Sequence, residues 1–94
     1  MRFEWNETKS QTNKRKHGVT FDEARTVFSD ERALLFDDPD HSGEEDRFLL
    51  LGMSEWPRIL VVVHCYREAD DVVRIISARP ATPGESAVYT SQGR

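Results

Sequence analysis

The sequence predicts an α+β domain built from a short N-terminal strand, two helices, an antiparallel β-meander and a short C-terminal helix. Three observations carry that expectation. Helix-opening residues stand at Asn6 and Thr20. Three strand-length apolar runs, separated by turns, fill the segment from Arg47 to Ala78. A further helix-start signature, Thr82-Pro83-x-Glu85, follows the last run. At 94 residues the chain makes one domain, 1–94, large enough to bury a core without metal or disulfide staples.

The elements follow in order. Met1 to Asn6 alternates around Phe3 and Trp5 and reads as the first strand. Asn6 caps a helix that begins at Glu7 and stops at Gly18; its sequence "ETKSQTNKRKH" is almost wholly polar, so only a narrow face can be buried. The cluster Lys14-Arg15-Lys16-His17 falls in its last turn, where cations suit the helix dipole. Thr20-x-x-Glu23 forms a capping box for a second helix reaching Ser29, with Phe21, Ala24, Val27 and Phe28 on one face. A short strand, "RALLFDD", leads into a loop of turn residues and acids. The meander strands run Arg47–Met53, Arg58–Tyr66 and Val72–Ala78, and a last helix Pro83–Tyr89 precedes a polar, frayed tail from about 90 to 94. The strands "FLLLG", "ILVVV" and "VVRII" are apolar on both faces, so the sheet needs cover on both sides. The early helices supply one side; the C-terminal helix and a partner chain are expected on the other.

Charge and motif content remove several function classes. The longest apolar run, Ile59–Val63, is strand-sized, so no membrane span is predicted. No signal-peptide h-region opens the chain and the single cysteine, Cys65, has no partner; both favour the cytoplasm. The net charge of −4 hides a segregation: residues 1–19 carry five Lys/Arg against two acids, residues 20–46 two against ten, and residues 47–94 six against five. His17, His41 and His64 lack metal-ligand spacing, the acidic loop lacks a calcium pattern, and no Gly-rich phosphate loop or nucleophile elbow is present. What remains is a dispersed Lys/Arg/His set suited to holding phosphodiesters and moving protons.

Within that set "VVRIISARP" stands out, because a guanidinium in an apolar strand needs an anionic partner or a ligand. Arg74 is expected either to pair with a carboxylate of the acidic loop or a strand edge, or to reach a ligand. Arg79, at a strand end before a helix, is placed to grip a phosphate. Strict alternation would point the two arginines to opposite faces unless a bulge intervenes. His64 shares a face with Leu60, Val62 and Tyr66 in the neighbouring strand, as a core histidine or a proton carrier.

Lys16-His17-Gly18-Val19 with Phe21 and Glu23-Ala24 following, the Arg47-Phe48 strand start, and Arg74-Ile75-Ile76-Ser77-Ala78-Arg79, in this order over residues 3–82, resemble the BrnT toxins, the ribonuclease halves of bacterial type II toxin–antitoxin pairs. The resemblance implies a RelE-like fold, RNA cleavage without metal or cofactor, and a BrnA-type antitoxin through which alone the toxin meets operator DNA, in a homodimer or heterotetramer. On that reading a ribose 2′-hydroxyl attacks the adjacent phosphorus; Arg79 and Arg74 stabilise the phosphoryl charge, and His64 or His17 exchanges the proton. Lys14, Arg15, Lys16 and Tyr89 hold RNA, with Glu45 and Ser77 in support. The sequence departs from the family after Ala81-Thr82, where "PGESAVYTSQGR" has no basic residue before Arg94. The competing reading is a non-catalytic module whose arginines only pair with an acidic partner. A DNA-reading regulator fits least, since the best amphipathic helix is acidic.

Overall fold

The structure, a computed structural model, describes residues 1–39, 46–67, 69 and 71–92. In chain order these form β1 (Arg2–Glu4), α1 (Glu7–His17), α2 (Phe21–Thr26) continued by a 3₁₀ turn (Val27–Ser29), β2 (Leu34–Asp37), β3 (Phe48–Met53), β4 (Ile59–Arg67), β5 (Val72–Pro80) and α3 (Pro83–Ser91). The strands make one sheet in the order β1-β5-β4-β3-β2. The expected meander, β3-β4-β5, is its centre. β2 adds antiparallel to β3, and β1 adds parallel to β5, so both sheet edges come from the N-terminal half of the chain.

Local chemistry sets the helix ends. The Asn6 side chain accepts from the Lys9 N–H, and Gly18 closes α1 at φ 73°, a left-handed conformation that costs glycine little. The capping box expected at Thr20 is only half formed: Thr20 Oγ1 accepts from the Glu23 N–H, but the Glu23 carboxylate turns away to Arg58 Nε (2.7 Å) and Ser54 Oγ (2.8 Å). Arg58 also donates to the Gly18 carbonyl (2.6 Å), so this one guanidinium pins the corner between α1 and α2. At Thr82 the reciprocal box forms in full.

The two sheet faces are covered unequally. Val19, Phe21, Ala24 and Val27 pack on Leu50, Leu60, Val62, Val73, Ile75 and Ala78, giving the main core. Phe21 is fully buried there, worth about 1.5–3 kcal/mol relative to exposure. On the other face α3 lays Tyr89 against Leu51 and Val61. The cover is partial: a groove of about 190 Å³ lined by Phe36, Leu49, Leu51, Val61, Glu85 and Val88 remains, with Phe36 and Val88 exposed. The tail expected to fray from residue 90 is helical to Ser91, and Gln92 exchanges hydrogen bonds with Arg32. No helix among the described residues is long and apolar enough to cross a membrane.

Candidate active site

A β-bulge decides where the arginines point. β5 pairs with β4 as Val61↔Arg79 and Val63↔Ser77, then as His64↔Ile75 and Cys65↔Arg74, leaving Ile76 as the extra residue. An inserted residue shifts the alternation by one. Arg74, Ser77 and Arg79 therefore all share the face of Val61, Val63 and Cys65, whereas a regular strand would have turned Arg74 away.

The same stretch of β5 meets α1. β1 ends at Glu4 opposite Arg74, so beyond that point the outer edge of β5 has no strand partner among the described residues. The Asn13 side chain takes that place. Its Nδ2 donates to Ala78 O (2.8 Å) and to Val19 O (2.8 Å), while its Oδ1 accepts from Ala78 N (3.2 Å). Ser10 Oγ accepts from Phe21 N (3.0 Å), tying the helix to the start of α2. A side chain holds the helix at the strand edge, and a cleft of about 280 Å³ opens beside it, lined by Lys9, Thr12, Asn13, Lys16, His17, Ile76 and Ser77.

The electrostatics divide sharply between this cleft and the adjoining arginines. Arg79 donates to Glu85 through Nη1 (2.7 Å) and Nη2 (2.9 Å), and Arg74 Nη1 lies 3.3 Å from Glu4, which Arg67 Nε also meets at 3.2 Å. The hydrogen bond from Arg79 lowers the Glu85 carboxyl to about 2 and raises the pKa of Arg79 in turn. Among the described residues, Lys9, Lys14, Lys16 and His17 have no carboxylate partner. Lys9 and Lys16, without a carboxylate partner among the described residues, thus border one cavity together with His17, a setting that attracts an anion bearing hydrogen-bond acceptors.

The structure brings together Lys16, His17 and Ser77 at the cleft, with Arg74 and Arg79 on the same sheet face as Ser77. Lys14 and Arg15 do not line it; Arg15 donates instead to Thr12 Oγ1. His64 belongs elsewhere. It has no exposed surface, lies on the opposite face from the arginines, contacts Val62 O (3.1 Å) and Tyr66 Oη (3.2 Å), and packs edge-on against Phe28. Burial pushes its pKa down, which favours the neutral ring of a core group and not the exposed proton carrier that was its alternative reading. Tyr89, expected to hold RNA, is also buried; its hydroxyl donates to Asp30 (2.7 Å), which ties α3 to the turn after α2. Glu45 lies outside the described residues. Lys9, Thr12 and Asn13 were missed by the sequence reading: they stand with Lys16 and His17 at helical spacing, but in a helix polar on every face no periodicity singles that stripe out.

Fold and site together define a small α+β protein with a cleft at a helix–sheet seam that two lysines and a histidine border. Residues 5–85 match the family model described as the ribonuclease toxin BrnT of type II toxin–antitoxin systems, and the chain belongs to that family. Among solved structures it is similar to the 1.1 Å crystal structure of the Brucella abortus ribonuclease toxin BrnT, with a TM-score of 0.65 and 26% identity over 87% of this chain and 97% of that one. A comparison with curated protein sequences finds no match.

Proposed function

We propose that this chain is an endoribonuclease toxin with a RelE-like fold that cleaves RNA without a metal ion and is neutralised by a BrnA-type antitoxin. The observation that carries the reading is the cleft itself: Lys9, Lys16 and His17, unneutralised among the described residues, face Ser77 beside the bulge that turns Arg74 and Arg79 to one side. In the reaction the ribose 2′-oxygen bonds to the adjacent phosphorus and the bond to the 5′-oxygen breaks, leaving a 2′,3′-cyclic phosphate and a 5′-hydroxyl. The 2′-hydroxyl proton leaves to a base and the 5′-oxygen takes one up. His17, exposed at the end of α1, serves that exchange, worth about 10²–10⁴-fold. Lys9 and Lys16 hold the backbone, and Arg79, with Arg74, meets the charge that grows on the phosphoryl oxygens.

The apolar groove between α3 and the outer sheet face supports the partner half of the reading, because its exposed Phe36 and Val88 offer an apolar surface to a second chain. A non-catalytic module is favoured by one observation, the pairing of both arginines with carboxylates of the chain itself. One experiment separates the two readings. Purified protein with EDTA present is given a short RNA, and the product ends are mapped for wild type, Arg79→Ala and His17→Ala. Cleavage to cyclic phosphate ends, reduced at least about 100-fold in the variants, supports the toxin; folded variants that cut at the wild-type rate, or a wild type that does not cut, refute it.

A further inference from the structure

The arginine assigned to the RNA phosphate is already occupied. Glu85 presents its two carboxylate oxygens to two different guanidinium nitrogens of Arg79, at 2.7 and 2.9 Å. That planar, forked pairing is the one a phosphodiester's two free oxygens would make. We propose that Glu85 is a built-in competitor for the substrate phosphate, held over Arg79 in the free protein by the first turn of α3 and displaced when RNA enters. The inference rests on the assignment of Arg79 to the phosphate.

Two features make the exchange feasible. The pair is open to solvent, with side-chain exposures of 40% for Arg79 and 33% for Glu85, so a phosphate can reach the fork. The displaced carboxylate also keeps a second anchor: Glu85 Oε1 accepts from the Thr82 N–H (2.9 Å) while Thr82 Oγ1 accepts from the Glu85 N–H (3.2 Å). After releasing Arg79 it remains in the capping box, at the helix end that favours negative charge. The contrast is Glu23 with Arg58, where a carboxylate only 5% exposed is locked by three donors and no ligand can take its place.

Glu85→Gln tests this cleanly, because glutamine also serves in a capping box and so keeps α3 while removing the charge over Arg79. Binding is read by anisotropy with a fluorescein-labelled, 2′-O-methylated single-stranded RNA, which cannot be cleaved by 2′-oxygen attack. Glu31→Gln, at an exposed acid, controls for net charge. E85Q is expected to tighten Kd about two- to fivefold beyond E31Q, and the gain should vanish in the R79A/E85Q double variant. Weaker binding by E85Q, a gain equal to that of E31Q, or a gain that survives R79A would overturn the proposal. If R79A alone leaves Kd and cleavage unchanged, the phosphate assignment itself fails; if R79A weakens both while E85Q gains nothing, only the competitor role fails.

Discussion

Asn13→Ala and Asn13→Asp probe the joint on which the cleft depends. The wild-type amide is only 6% exposed and serves three backbone groups, Val19 O and Ala78 O as acceptors and Ala78 N–H as a donor. Alanine leaves all three without a protein partner. An unsatisfied buried polar group costs about 1–3 kcal/mol, but water entering from the adjoining cleft can recover part of that, so Asn13→Ala should lose about 2–4 kcal/mol. For a domain of this size the loss lowers Tm by roughly 10–25 °C. Aspartate is nearly isosteric yet worse, since its second oxygen would face two carbonyls at the 2.8 Å now spanned by Nδ2. Urea unfolding followed by circular dichroism measures both variants. Because α1 carries Lys9, Lys16 and His17 to the cleft, cleavage by folded Asn13→Ala should also drop at least about tenfold through misplacement. Asn13→Ala within about 0.5 kcal/mol of wild type, or Asn13→Asp as stable as Asn13→Ala, would refute the joint.

Stability should fall in acid. The Arg58 hydrogen bond holds the Glu23 carboxyl below its usual range, and Arg79 holds Glu85 at about 2, so their contribution is present in full above about pH 5 and is lost as pH drops through those lowered values; Glu23→Gln should flatten that acid limb in thermal melts taken across pH. His64 acts in the same direction for a different reason: a base buried neutral, with its folded pKa depressed, destabilises the fold once pH falls below about 6.5. His64→Leu should remove that step and leave cleavage within about threefold of wild type, whereas a loss comparable to His17→Ala would return His64 to the reaction. Neutralising Asp37 and Asp46 together should leave RNA affinity nearly unchanged at about 0.15 M salt and tighten it at about 0.01 M, while Lys9→Ala weakens binding at both, as read by titration with the labelled RNA.

The sequence exposed those parts of the fold that short-range chemistry controls. Asn6, Gly18, Thr20 and Thr82 mark helix ends through hydrogen bonds to neighbours within four residues, and each end lies where those residues place it. The three meander strands were visible as apolar runs. The bulge at Ile76 was not, because it depends on how β4 and β5 register, and nothing local distinguishes Ile76 from Ile75. That one displacement sets which face Arg74 joins. The parallel pairing of β1 and the use of Asn13 at a strand edge are likewise contacts across about 65 residues or more. His64 looked reactive by type, but its chemistry is fixed by burial under Phe28, which only the tertiary packing supplies.

An overall charge of −4 sits awkwardly with RNA binding until the strand order is taken into account. The cleft borders β5, while Asp37 ends β2 and Asp46 stands just before β3 on the far side of the sheet. β2 is three strands from β5 and β3 two, so at the usual inter-strand spacing of about 4.8 Å Asp37 stands about 14 Å away and even Asp46 about 10 Å. Both distances exceed the Debye length of about 8 Å at physiological ionic strength, so those acids are largely screened from a phosphate held at α1. The acids nearer the cleft are handled differently. Glu4 faces Arg67 and Arg74, Glu85 faces Arg79, and Glu23 is enclosed by Arg58 and Ser54, each sharing its charge with a guanidinium. Local cation density, not net charge, therefore governs what the seam between α1 and β5 attracts.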